Sequence, residues 1–132
     1  MKLLLDTHTF LWFAGRQQYV NLPQATSEIL EDSTNSLILS YASVWELSIK
    51  ASIGKLKLTE SAANLVRFQQ ARTRLQLLPL ELDHFEFLER LPVHHKDPFD
   101  RLLIAQAQAE NLTIVGVDTA FDLYDVKRLW LT

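Results

Sequence analysis

The chain has 132 residues, 48% of them hydrophobic, which is the length of one ordinary domain with ample material for a core. Its 13 basic residues against 16 acidic ones leave a net charge of -3, which argues against a protein that coats nucleic acid through surplus Lys and Arg. Zero cysteines exclude disulfides and thiolate-bound zinc, so a metal site would have to use oxygen or imidazole ligands.

The start, MKLLLDTHTFLWF, is apolar after one lysine, but Asp6 and His8 interrupt the run and no small-residue cleavage site follows. No stretch approaches the roughly 18 consecutive apolar residues of a membrane span. The cytoplasm is therefore the expected compartment. With no repeat and no Gly/Ser linker, residues 1–132 read as a single domain.

In chain order, KLLL (2–5) reads as a short buried strand and THTFLWFA as a helix that Gly15 ends. Pro23 suits the first turn of a second helix, PQATSEILEDS. SLILS (36–40) is a second buried strand, and SVWELSIKAS a helix with Gly54 as its stop. Residues 61–76 have apolar residues at helical spacing, LQLLPL is a short strand, and ELDHFEFLERL another helix. A helix from 98 to about 110 leads into the strand LTIVGV (112–117), a short helix TAFDLY and a terminal strand KRLWL. Apolar strands alternating with helices predict an α/β, three-layered architecture around a parallel sheet.

Ligands bind outside the C-terminal ends of strands in open parallel sheets. The first strand ends at Asp6, the strand 112–117 at Asp118, and SLILS a few residues before Glu46, expected on the first turn of the next helix. Asp97 and Asp100 open the helix that feeds the Asp118 strand. Each acid alone reads as a helix cap: Asp6 and Asp118 stand at N-cap positions, Ser43-x-x-Glu46 matches a capping box, and Asp97-Pro98 matches a cap followed by an N1 proline. Their number and shared rim favour a site. Asp97 is the better cap, while Asp100 lies further into the turn, where it can face the rim. Gathered carboxylates repel one another unless a cation is present, and all-oxygen ligands select Mg²⁺ or Mn²⁺. Such ions suit phosphodiester chemistry.

LLLDTHTFLW, SVWELSIKASIGKL, HHKDPFDRLLIAQA and IVGVDTAFDLY together resemble the PIN-domain ribonucleases, in particular VapC-type toxins of toxin–antitoxin pairs, in order and spacing from residue 2 to 131. The resemblance implies a PIN-like fold with a sheet of about five parallel strands and a Mg²⁺- or Mn²⁺-dependent endoribonuclease. It implies that Asp6, Glu46, Asp100 and Asp118 hold the metal and carry catalysis, with Asp122 as an outer helper. It also implies an RNA substrate, a VapB-type antitoxin as partner and a homodimer. One departure is Gly116, where many relatives carry Ser or Thr two residues before the fourth acid; Thr7 or Thr119 is the expected substitute for that hydroxyl.

Several other residues are candidates of lower rank. His8, His94 and His95 read as hydrogen-bonding scaffold before metal or phosphate ligands. Lys50, Lys55, Lys57, Arg67, Arg72 and Arg74 could line an RNA path or form a solvated face, with Lys96 and Arg101 better placed for phosphate. Trp12, Trp45 and Phe99 read as core or subunit packing. TFLWF and the helices of 24–33 and 41–54 are expected to leave apolar surface for a partner helix. A haloacid-dehalogenase-type phosphatase needs an acid at position 8, which is His, and a receiver domain needs a lysine after a late strand, which TIVGVD lacks. The remaining alternative is a non-catalytic PIN-like module that binds RNA or protein and keeps its acids as caps.

Overall fold

The computed structural model of the chain describes residues 1–16 and 22–132. Among these, the strands are β1 (Lys2–Leu5), β2 (Ser36–Ser40), β3 (Gln76–Leu78), β4 (Thr113–Val115) and β5 (Lys127–Leu129). The helices are α1 (Thr7–Phe13), α2 (Gln24–Glu31), α3 (Tyr41–Ser52), α4 (Ala62–Arg72), α5 (Leu82–Arg90) and α6 (Pro98–Glu110), with a 3-10 turn over Thr119–Leu123. The five strands form one parallel sheet in the order β3-β2-β1-β4-β5.

Period-two alternation along the strands divides the core between two faces. Leu3 and Leu5 of β1, with Leu37 and Leu39 of β2 and Val115 of β4, pack with Phe10, Leu11, Leu30, Leu47, Leu65 and Val66. Leu4, Ile38 and Ile114 point the other way, onto Leu102, Leu103, Ile104 and Ala105 of α6 and Phe121. The register pairs Leu3 with Leu37, Leu4 with Ile38 and Ile114, and Leu5 with Leu39 and Val115, so each face is a continuous apolar row. Full burial of one such side chain is worth about 1.5–3 kcal/mol relative to exposure. A one-residue slip of β1 would exchange the two rows. This is the three-layer α/β sheet expected from the alternation of elements.

Element ends differ from expectation where side chains compete with the regular pattern. The helix expected over 61–76 stops at Arg72, because Thr73 turns extended and its Oγ1 both donates to the Gln69 carbonyl (2.7 Å) and accepts from the Leu75 amide (3.2 Å). Residues 76–78 are then free to pair with β2. The strand expected over 112–117 keeps its ladder only for Thr113–Val115. Gly54 follows α3 at φ +77 and Asn111 ends α6 at φ +56, both left-handed conformations that Gly and Asn adopt most cheaply.

Two features place chemistry at the C-terminal rim. β1 passes into α1 through the single residue Asp6, and β2 passes directly into α3, with Ser40 both last strand residue and N-cap. Ser40, rather than Ser43, therefore begins that helix, the Ser43–Glu46 capping box does not form, and Glu46 lies on the second turn instead of the first. The chain also moves outward from β1 to β2 and β3, then crosses back to β4 on the opposite side of β1. The β1/β4 junction is thus the topological switch point where such sheets open a crevice.

Candidate metal centre

Asp6 closes β1 at this switch point. Its amide donates to the Val115 carbonyl at 3.1 Å, and the Thr9 hydroxyl donates to the same carbonyl at 3.0 Å, tying the ends of β1 and β4 together. Asp6 Oδ1 accepts the Thr9 amide at 2.8 Å as the N-cap of α1, and the side chain is only 5% exposed. Oδ2 is left over. It lies so close to Gly116 that a Cβ on that residue would stand 2.6 Å from it.

Asp118, two residues beyond Gly116, repeats the arrangement. Its Oδ1 accepts the Ala120 amide at 2.9 Å and caps the 3-10 turn, while Oδ2 faces His95 Nε2 at 3.7 Å. On α6 the two acids divide the work as expected. Asp97 Oδ1 accepts the amides of Phe99 (2.8 Å) and Asp100 (3.0 Å), and Asp100 turns inward to accept the His95 Nε2–H at 2.9 Å. His95, Asp100 and Asp118 offer ligand atoms all within 4.8 Å of one another.

Glu46 reaches the rim from α3, 5% exposed, with both oxygens engaged. Thr7 Oγ1 donates to Oε1 at 2.6 Å and Lys50 Nζ pairs with Oε2 at 2.7 Å. Thr7 also touches Ser43 Oγ at 3.1 Å, so one hydroxyl ties the start of α1 to α3. Capping and site formation are thus compatible: a cap uses one carboxylate oxygen and leaves the second.

The acids strain one another electrostatically. Burial, followed by the charges of Asp97 and Asp6, pushes Asp100 up from an ordinary 3.8 to about 7; His95 pulls it back and Glu46 adds to the rise. Burial likewise raises Asp6, against the lowering effect of the Thr9 hydrogen bonds and His8, with a small rise from Glu46. Among the described residues no Lys or Arg pairs with Asp6, Asp100 or Asp118. Asp6 is buried, Asp100 largely so and Asp118 half-exposed; without such a partner and each with a spare oxygen, they suit a hard divalent cation.

Other candidates lie elsewhere. Asp122 is locked to Arg128 by two hydrogen bonds (2.9 and 3.0 Å), and that guanidinium holds its carboxyl below the usual range. Arg101 spends its Nη1 on the Pro92 carbonyl (2.9 Å) and the Tyr124 hydroxyl (3.3 Å), so it braces the 92–97 loop. Arg74 holds the Asp32 carbonyl, Arg67 the Asn64 side chain, and Arg72 covers the Phe68 ring. Lys96 is exposed, as are Lys55 and Lys57. Trp12 packs edge-on against Trp130, and Trp45 edge-on against Phe99.

A second group, Glu81, His84 and Glu110, is structural. His84 Nδ1 accepts the Glu81 amide (3.0 Å), and Nε2–H donates to Glu110 (3.0 Å). A cavity of about 790 Å³ opens beside Met1, Lys2, Asn111, Thr113 and Lys127, at the opposite ends of the strands, and none of the rim acids line it. His95 is the hydrogen-bonding scaffold expected from sequence, held between the Asp97 amide and Asp100. The close approach at Gly116 has only one signal in the sequence, a glycine at the end of a buried strand.

The PIN domain family model matches residues 3–127. A stretch of 59 residues is 39% identical to ribonuclease VapC16 of Mycobacterium tuberculosis, covering 45% of this chain and 40% of that protein, so the match reaches less than half of that ribonuclease's length. The fold is similar over 98% of both chains to a VapBC2 structure from Rickettsia felis, solved with a DNA fragment from its promoter (TM-score 0.75, 19% identity). It is similar over 98% of this chain and 97% of the other to DNA-bound VapBC from Salmonella typhimurium (TM-score 0.70, 17% identity). At such identities the likeness speaks for the fold.

Proposed function

The chain belongs to the PIN domain family, and from that premise we propose that it is a metal-dependent endoribonuclease, the VapC-type toxin of a toxin–antitoxin pair. The observation that carries this reading is the rim itself: Asp100 and Asp118 bring oxygens within 4.8 Å of each other beside His95, and Asp6, at the end of β1, is near enough for its charge to raise Asp100. Each of the three keeps an oxygen that capping or His95 leaves over. These three would hold a Mg²⁺ or Mn²⁺ ion directly. Glu46, already gripped by Thr7 and Lys50, adds negative charge and orients water from its side of the rim. When bound, the ion supplies an activated water and offsets charge on the phosphodiester. The residues supply position: β1 and β4 fix Asp6 and Asp118, and α6 presents Asp100 between them. Lys50 stands 2.7 Å from Glu46 and is half-exposed, which suits contact with an RNA phosphate.

The test is cleavage of a fluorogenic single-stranded RNA by antitoxin-free protein. Chelator is expected to lower the rate at least about 10³-fold, the several kcal/mol that a metal contributes at such a transition state, and excess Mn²⁺ to restore it. Cleavage that survives chelation would overturn the metal dependence. A second reading, the non-catalytic module, draws on the caps made by Asp6, Asp97 and Asp118. Folded protein that neither cuts RNA nor binds Mn²⁺ would favour it.

Partner surfaces follow the exposed residues. TFLWF does not supply one, because Phe10 and Leu11 are buried and Phe13 packs against the core; nor does α2, whose Leu30 is buried and whose Ile29 also packs inward. α3 and its C-cap leave Tyr41, Trp45, Ile49 and Ile53 exposed at four-residue intervals, with Trp45 54% accessible and Phe68 of α4 also exposed. We assign this ridge to the apolar helix of a VapB-type antitoxin. By light scattering at about 10 µM the chain alone is expected to be a homodimer, and Trp45→Glu to weaken the antitoxin complex at least about 30-fold, a hot-spot effect. A wild-type monomer, or an unchanged complex, would refute the corresponding assignment. Among the described residues no helix is long and apolar enough to cross a membrane.

A further inference from the structure

The imidazole of His95 has a defined tautomer. The Asp97 backbone amide donates to Nδ1 at 3.3 Å, which requires a lone pair there, so the proton sits on Nε2. That Nε2–H donates to Asp100 Oδ2 at 2.9 Å and faces Asp118 Oδ2 at 3.7 Å. A ring held this way cannot offer Nε2 to a cation without losing the Asp97 bond.

The segment carrying the ring is itself fastened. The backbone amides of His94 and His95 both donate to the Tyr124 hydroxyl, at 3.0 and 2.7 Å, and Arg101 donates to the same hydroxyl and to the Pro92 carbonyl. The His94 ring packs edge-on against Tyr124 and the His95 ring edge-on against Phe121, which is fully buried. The loop before α6 is thus tied to the 3-10 turn after β4; Asp100 lies on the first turn of α6, just beyond that loop, and Asp118 caps the 3-10 turn. Among the described residues no group bonds Asp100 Oδ1, so that oxygen stays available to a ligand.

We propose that His95 is a positioning residue: by holding Oδ2 of Asp100 and bridging toward Asp118, it sets the spacing of two ligands of the divalent cation. This rests on the metal-dependent reading above. Hydrogen bonds behind metal ligands are worth about 10- to 100-fold in affinity, because a freed carboxylate must be reordered each time the ion binds.

The experiment is Mn²⁺ titration by electron paramagnetic resonance of the purified chain, at pH 8, for wild type, His95→Ala and His95→Gln, with melting temperatures measured alongside. Glutamine places an amide N–H near the position of Nε2–H. The expected result is that alanine weakens Mn²⁺ binding about 10- to 100-fold and glutamine restores it to within about 3-fold of wild type. Wild-type affinity in both variants overturns the proposal, and equal weakening in both overturns it in favour of direct ligation. Wild-type protein that binds no Mn²⁺ overturns the metal reading and this one together. Nitrogen-15 shifts of the wild-type ring give a check that needs no variant. The Nε2–H form should persist when Mg²⁺ is added, and a switch to Nδ1–H would again mean direct ligation.

Discussion

Asparagine in place of Asp100 is expected to make the cation-free protein more stable and RNA cleavage at least about 10³-fold slower, a loss of about 4 kcal/mol of transition-state stabilisation. The two effects have one cause. Burial and the neighbouring charges of Asp97 and Asp6 raise this carboxyl from 3.8 to about 7 in the folded chain. A raised acid favours the folded state only while it holds its proton. Stability is therefore lost as pH climbs from about 4 to about 7, where the unfolded chain has already ionised, and the full cost stands above that window. The neutral amide of Asp100→Asn carries no such cost and still accepts the His95 N–H. In chelator at pH 8 the gain should be about 1–3 kcal/mol, or several degrees of melting temperature. Added Mn²⁺ should stabilise wild type in that buffer and leave the variant almost unmoved. Thermal melts across pH 5 to 8 decide the matter: parallel profiles for the two proteins would mean that Asp100 is not under charge strain.

Gly116→Ala is the second large effect. The added Cβ would stand 2.6 Å from Asp6 Oδ2 and 3.0 Å from its Cγ, with the Phe121 ring 3.4 Å away on another side. Asp6 cannot simply swing aside, because its other oxygen caps α1 and its backbone is bonded to Val115. Cleavage is expected to fall about 10²- to 10³-fold through displacement of the carboxylate, with about 1–3 kcal/mol of overpacking cost in stability. Gly116→Thr should do at least as much damage, since it brings the same Cβ. From sequence, Gly116 looks like a missing hydroxyl; in the fold it is the space that the Asp6 carboxylate occupies. Mn²⁺ affinity and cleavage both at wild-type level in Gly116→Ala would show that Asp6 does not need its present position.

The architecture was legible because its signals are local and repeated. The run Leu3-Leu4-Leu5 is apolar at every position because both sheet faces are covered, and Asp97-Pro98 marks the first turn of α6 by cap chemistry alone. The start of α3 was misread for an equally local reason. Ser40 and Ser43 are both plausible caps, and only pairing of β2 as far as Ser40 selects the first. The rim acids could be gathered by strand-end logic. What escaped was whatever depends on distance between segments remote in sequence: the Thr7 grip on Glu46, the Gly116 approach to Asp6, and which apolar helix face stays uncovered. Pattern alone cannot separate an exposed Trp45 from a buried Phe10, since both recur at helical spacing.

The caps made by Asp6, Asp97 and Asp118 bear on how fast and how cleanly a cation can be taken up. Each of these acids is held by backbone amides that belong to a helix or turn start, so the geometry of the rim is completed when those elements form. An arriving ion then has little chain left to order. Uptake should resemble docking into a finished socket, with little change in backbone amide exchange around Thr9, Phe99 and Ala120 and a small entropy penalty.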